Sequence, residues 1–275
     1  DQKIAPRLAE IDEQILENQD RVLKSFQAHN VAESDLYGST GYGHNDEGRD
    51  KLEEIYADVL GGEGALVRPQ FVSGTHAIGT ALLGLVRPGD DILYITGEPY
   101  DTLQEVLGLA GNGIGSPKEY GIGVDYVDLL ADGSVDFAGV KAKMTDKTKV
   151  VAIQRSCGYA TRDSFTVDQI KVMVEEVRKI NPDVWIFADN AYGEFSETKE
   201  PLDVGVDLMA GSLFKNAGGG FAKTGGYIVG KKDLIERVSY RLTVPGIGGE
   251  EGATYGQLMD MYQGFFISPQ TTGNA

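Results

Sequence analysis

The run Val184-Trp185-Ile186-Phe187-Ala188 constrains this chain more than any other stretch. Five apolar residues without alternation describe a strand buried on both faces, as inner strands of a parallel sheet are. Such a strand needs helices above and below it. The rest of the sequence supplies them. Residues 4–28 carry Ile4, Leu8, Ile11, Ile15, Leu16, Val22, Leu23 and Phe26 at helical spacing. This arm packs either on its own domain or on a second subunit. A glycine-rich polar loop, 36–48, is longer than a connector needs to be. A helix over 49–60 follows, stopped by Gly61-Gly62. Strands are expected at 65–72 (interrupted by Pro69), 91–96, 124–129, 149–154, 184–188, 206–210 and 225–229. Between them lie helices beginning near Gly74, at 101–109, after the capping box Thr166–Gln169 and at about 232–242; the third ends at Asn181-Pro182. Alternation of this kind predicts an α/β fold with a doubly wound, mainly parallel sheet and helices on both faces.

Charge narrows the partners. A net charge of −17 argues against nucleic acid or an anionic membrane, and any phosphate must be held by local N–H groups and hydroxyls. The single cysteine, Cys157, rules out a disulfide framework and fits a reducing, cytoplasmic setting. No run is long enough to span a membrane and no signal peptide is visible. Three histidines and one cysteine without ligand spacing predict no metal site. The chain starts at Asp1 and stops at Ala275 without a closing element, so a longer polypeptide is expected.

The chemistry lies at the strand ends. Ser73-Gly74-Thr75 leads from a strand into a helix, which offers either a phosphate cup at Gly74 and Thr75 or an ordinary N-cap. Tyr100 follows the strand at 91–96, where it stacks on a planar ligand or simply packs. The apolar strand at 184–188 delivers Asp189, a carboxylate that needs a metal, an arginine or a protonated ring nitrogen. Gly211-Ser212-Leu213-Phe214-Lys215-Asn216-Ala217-Gly218-Gly219-Gly220 leaves the next strand. Its lysine points above the sheet edge, and sheltered lysines are nucleophiles for carbonyls. An anion cup, a carboxylate and an amine are what pyridoxal phosphate (PLP) requires for its phosphate, its pyridine nitrogen and its aldehyde. Lys215 is therefore expected to form a Schiff base with PLP, with Ser212 adding a phosphate contact.

At these residues the sequence resembles the fold-type-I PLP enzymes: Asp-Asn-Ala-Tyr at 189–192, then Ser-Leu-Phe-Lys-Asn at 212–216. The finer resemblance is to the methionine gamma-lyase-like, aluminium resistance proteins, carried by 66–77, 153–156, 211–220 and 262–266. It implies a homodimer or homotetramer with active sites shared between subunits. It also implies that Tyr100 stacks on the cofactor ring, Tyr192 bonds the ring's phenolic oxygen and Tyr42 reaches a neighbouring subunit's phosphate. Two departures stand out: Ala217 where proline is usual, and no C-terminal small domain to supply a substrate arginine. Arg155 is the candidate carboxylate or ring-oxygen contact, or else part of a structural ion pair. The organisation expected is an arm and interface loop (1–48), a PLP-binding large domain (49–243) and the start of a connection to a C-terminal domain (244–275). The activity implied is elimination from a sulfur-containing amino acid, a carbon–sulfur lyase reaction with Lys215 as base at Cα and the ring, protonated opposite Asp189, as electron sink. Aminotransfer, decarboxylation and a non-catalytic PLP-binding role in stress or metal resistance are the alternatives.

Overall fold

The computed structural model describes residues 4–275; residues 1–3 of the expected N-terminal arm lie outside the described residues. Seven strands form one sheet among these residues: β1 (Gly64–Arg68), β2 (Asp91–Tyr94), β3 (Gly123–Tyr126), β4 (Thr148–Gln154), β5 (Trp185–Asp189), β6 (Leu208–Ser212) and β7 (Gly226–Gly230). Their order is β1-β7-β6-β5-β4-β2-β3. Strands β2 to β6 pair in parallel, and β7 runs antiparallel to both β6 and β1. The apolar run expected at the centre is indeed inner: β5 lies between β4 and β6.

Alternation along each strand divides two cores. Ile186, Ala188, Val151, Ile153 and Met209 face one cluster, into which α2 (Glu47–Leu60) and α6 (Val167–Ile180) pack. Phe187, Val150, Ala152, Leu208 and Ala210 face the other, filled by α3 (Gly74–Leu85), α4 (Asp101–Leu107) and α7 (Lys232–Leu242). The doubly wound α/β architecture follows from this two-sided burial. Local signals set several boundaries. Asp46 caps α2 by accepting from Arg49 N–H, and the capping box of Thr166 and Gln169 opens α6.

Some boundaries differ from expectation. The strand predicted over 65–72 ends at Arg68, because Pro69 has no N–H and the chain turns so that Phe71 N–H meets Arg68 O. The strand predicted at 206–210 begins two residues later, at Leu208. Buried Asp207 instead accepts from Ile186 N–H at 2.7 Å, and Arg178 and Lys231 hold its carboxylate. Ser212 is thereby the last strand residue and not part of the turn. At the sheet's far edge β3 stops at Tyr126, short of the expected Leu129.

Two helices carry no clear signal in the sequence. One is α5 (Phe137–Lys143), between β3 and β4. The other, α8 (Leu258–Gly273), has an aromatic, weakly patterned sequence with Pro269 inside it. Phe265 of α8 stacks on Tyr56 of α2 with centroids 3.8 Å apart. Gly264 meets the lysine loop so closely that a Cβ on Gly219 would collide with Gly264 O. The N-terminal helix α1 (Ala5–Ala28) lies against α8 through Phe26, whose ring contacts Tyr262 and Phe266. It thus packs on its own domain, while Leu8, Leu16 and Leu23 stay exposed on its outer side. No helix among the described residues is long and apolar enough to cross a membrane.

Candidate functional site

The carboxyl ends of β5 and β6 and the start of α3 meet on the sheet face that α3 covers. Strand alternation places Asp189 and Ser212 on that face, two residues beyond Phe187 and Ala210. Gly74, at the first position of α3, sits against the β6 end: a Cβ there would stand 3.0 Å from Ser212 Cβ. The Gly74 and Thr75 N–H groups have no acceptor among the described residues, since Ser73 Oγ caps only His76 N–H. Ser212 Oγ is buried and has no partner. Two free helix-start donors beside a buried, partnerless hydroxyl fit a phosphate in an otherwise acidic protein. Thr75 Oγ1 lies 2.9 Å from the Tyr100 hydroxyl, which links the cup to the tyrosine after β2. Tyr100 is itself fixed by Gln154, whose Oε1 accepts the tyrosine's N–H at 3.0 Å. Burial raises the Tyr100 phenol above its usual range, and the Asp189 charge adds to this.

Asp189 is almost fully buried and accepts one hydrogen bond, from Ala191 N–H at 3.1 Å. Burial pushes its carboxyl up to about 6, against the pull of the Ala191 N–H and of the Lys215 charge. Lys215 follows β6 half-buried, with Nζ 4.1 Å from the centroid of the Tyr192 ring. Gly74, Thr75, Tyr100, Asp189, Tyr192, Ser212 and Lys215 are thus gathered at one end of the sheet. The donor set, a proton-hungry carboxylate and an amine fit the three polar ends of PLP.

The Tyr192 turn depends on residues that sequence reasoning did not single out. Tyr192 and Phe195 both have left-handed backbone, φ +70° and +59°, which costs about 1 kcal/mol or more per non-glycine residue. Gln14 and Asn18 of α1 donate to Phe195 O, and Glu200 accepts Phe195 N–H at 2.8 Å. Asn216 Nδ2 reaches Tyr192 O at 3.0 Å and Glu194 O at 3.2 Å. Beneath the turn, Glu194 is fully buried, with Oε1 accepting the Tyr227 hydroxyl at 2.6 Å and Oε2 partnerless. Burial raises its carboxyl to about 8, opposed by the Tyr227 bond. A carboxyl raised on folding stabilises the fold while protonated, and that contribution is lost as pH climbs through the folded value. Glu194→Gln keeps an acceptor for Tyr227 but cannot ionise. Its thermal midpoint is expected to match wild type near about pH 4 and to exceed it increasingly up to about pH 9. A pH series of melts on both proteins tests this, and curves that stay parallel would refute it.

Two predicted site residues stand apart. Arg155, offered as a substrate contact, directs all of its donors inward: Nε to Phe165 O, Nη1 to Asn190 Oδ1 and Gly193 O, Nη2 to Ser196 Oγ and Glu197 Oε1. Buried Glu200 lies 3.7 Å away, which completes an ion-pair network, so the geometry gives this arginine to the turn and leaves no donor for a ligand. Tyr42 is 72% exposed on the loop after α1 and makes no described hydrogen bond to Gly74, Thr75 or Ser212 of its own chain. Its loop is rigidly held, because Arg49 Nη1 bonds both Gly43 O and Gly252 O. No cluster of three or more histidine, cysteine, aspartate or glutamate side chains suited to a metal ion occurs among the described residues.

The family model described as methionine gamma-lyase matches residues 1–275. The uncharacterized protein YnbB of Bacillus subtilis is 55% identical over 273 residues, covering 99% of this chain and 64% of its own length. A carbon-sulfur lyase involved in aluminum resistance from Clostridium novyi NT superposes with a TM-score of 0.94 at 48% identity, over 98% of this chain and 64% of that one. L-methionine gamma-lyase of Pseudomonas putida is 29% identical over 188 residues, 68% of this chain and 42% of that enzyme. The chain therefore spans less than two thirds of the length of each of these relatives.

Proposed function

Because this chain belongs to the methionine gamma-lyase family, we propose that it is the cofactor-binding part of a PLP-dependent carbon–sulfur lyase acting on a sulfur-containing amino acid. One observation carries the reading: the buried Asp189 carboxylate, the Lys215 amine and the partnerless Ser212 hydroxyl converge on a single strand-end face beside the start of α3. Bound PLP supplies an electron sink that stabilises negative charge at the substrate Cα. The chain's own groups do the rest. Gly74 N–H, Thr75 N–H and Ser212 Oγ hold the phosphate. Asp189 keeps the ring nitrogen protonated, which its burial favours because a neutralising proton is worth more there than in water. Tyr100 covers the ring face and Tyr192 bonds the phenolic oxygen. Lys215 would hold the aldehyde, and its Nζ would serve as the base for the substrate Cα proton. Tyr42 completes a neighbouring subunit's phosphate site, so a homodimer or homotetramer with shared sites is part of the reading.

The test is to incubate the protein with PLP, record its visible band, reduce with borohydride and map the label. A band with the label on Lys215 supports the cofactor site. Sulfur amino acids are then expected to release a thiol, ammonia and a 2-oxo acid without any added oxo acid. A requirement for a second oxo acid would instead make the protein an aminotransferase. Absence of both band and label would overturn the cofactor reading.

A further inference from the structure

We propose that Asn216 is a positioning residue that holds the strained Tyr192 turn over Lys215, coupling the loop after β5 to the loop after β6. The inference rests on the PLP reading for its consequence, but the coupling itself is a property of this chain. A single amide nitrogen, Asn216 Nδ2, spans Tyr192 O and Glu194 O, one on each side of Gly193. Both left-handed residues lie in or next to this stretch, and nothing in an isolated turn would favour that backbone at tyrosine or phenylalanine. Other residues secure the turn's far side: Gln14 and Asn18 bond Phe195 O, and Arg155 bonds Gly193 O. None of these belongs to the lysine loop. Asn216 does, as the residue next to Lys215.

Asn216 is held from behind as well. Its carbonyl accepts the Ser268 hydroxyl of α8, and the next carbonyl, Ala217 O, accepts Tyr56 OH at 3.1 Å. The lysine loop is therefore anchored to α8 and α2, and the Asn216 side chain carries that anchorage forward to the tyrosine. With the amide in place the Tyr192 ring stays 4.1 Å from Lys215 Nζ, at cation–π distance. Among the described residues, its two hydrogen bonds are the ones that join the two strand-end loops directly.

The variants are Asn216→Ala, Asn216→Asp (isosteric, but an acceptor facing two carbonyls) and Ser268→Ala. Hydrogen exchange of the 190–196 backbone is measured without cofactor. The pH midpoint of the visible band is measured after incubation with PLP. Both Asn216 variants are expected to exchange faster at the turn and to move the band midpoint by about half a pH unit, the scale of one lost cation–π contact. Borohydride is still expected to label Lys215 in both. Ser268→Ala removes one of the two anchors but keeps the amide and the Tyr56 bond, so it lowers the melting temperature and moves the midpoint less than either Asn216 variant does. Should Asn216→Ala fail to fold, Asn216→Asp decides alone. Wild-type exchange and midpoint in Asn216→Asp would overturn the proposal, and so would a Ser268→Ala midpoint that moves as far as the Asn216 variants do. If wild type itself shows no band, the PLP reading fails; the exchange measurement still decides whether Asn216 clamps the turn.

Discussion

Lys215→Ala is expected to abolish the visible band of the PLP-loaded protein and to lower turnover on the order of 10³-fold or more, since one residue supplies both the covalent tether and the Cα base. The fold is expected to tolerate the change. No ion pair of Lys215 Nζ occurs among the described residues, and its described partner is the Tyr192 ring. A cation–π contact at a half-exposed position is worth about 0.5–1 kcal/mol, so the thermal midpoint should fall by only a few degrees. That contrast separates catalysis from stability. The phosphate cup stays intact in the variant, because Gly74, Thr75 and Ser212 make no contact through the lysine. PLP should therefore still bind, weakly and without covalent capture, detectable by equilibrium dialysis. A variant that keeps the wild-type band would remove Lys215 from the site. A variant without the band but with turnover within tenfold of wild type would leave the tether in place and assign the base elsewhere.

Much of this arrangement was legible in the sequence because it rests on local patterns. The all-apolar run of β5 announced a two-sided strand, and helical spacing announced α1, α2, α6 and α7. Seven of the predicted site residues lie at or just beyond element ends, gathered at one end of the sheet, where a doubly wound fold exposes its loops. What was not legible depends on geometry that sequence spacing does not encode. The antiparallel insertion of β7 between β1 and β6 leaves no mark on its apolar run, which looks like that of any inner strand. α8 is specified by what it packs on, Tyr56 and the glycines of the lysine loop, more than by its own stripe. The hub beneath the site was hidden for the same reason. Glu194 and Glu200 look like surface carboxylates beside a polar turn, yet both are fully buried, because the turn folds inward around left-handed Tyr192 and Phe195. Asn216 is a residue type that bonds backbone groups, but its partners, Tyr192 O and Glu194 O, lie in another loop, which its spacing does not encode.

Arg155 marks the sharpest divergence, and its replacement is the second large effect expected. Arg155→Ala is predicted to destabilise the protein by about 3–5 kcal/mol, the usual cost of leaving a buried carboxylate without its cation. The carboxylate is Glu200, fully buried and already raised by that burial, with the Arg155 charge pulling it back down. Removing the guanidinium also strands Asn190 Oδ1 and Phe165 O, each of which now accepts from it. For a chain of this size the midpoint of thermal unfolding should drop by roughly 10 °C. Arg155→Lys is expected to recover only a minor part, because an ammonium cannot fill a fork that meets several acceptors in one plane. A substrate-binding arginine predicts a different pattern: an unchanged melting temperature, a raised KM and little change in kcat. The two patterns do not overlap, so melting curves on the variant, followed by KM where activity is measurable, decide between them. A stable Arg155→Ala protein with KM alone increased would return the residue to the substrate site and require the network around Glu200 to be held by Asn190 and the Phe195 N–H without it. The expected loss of stability would instead fix Arg155 as the strut that keeps the Tyr192 turn, and through Asn216 the lysine loop, in register.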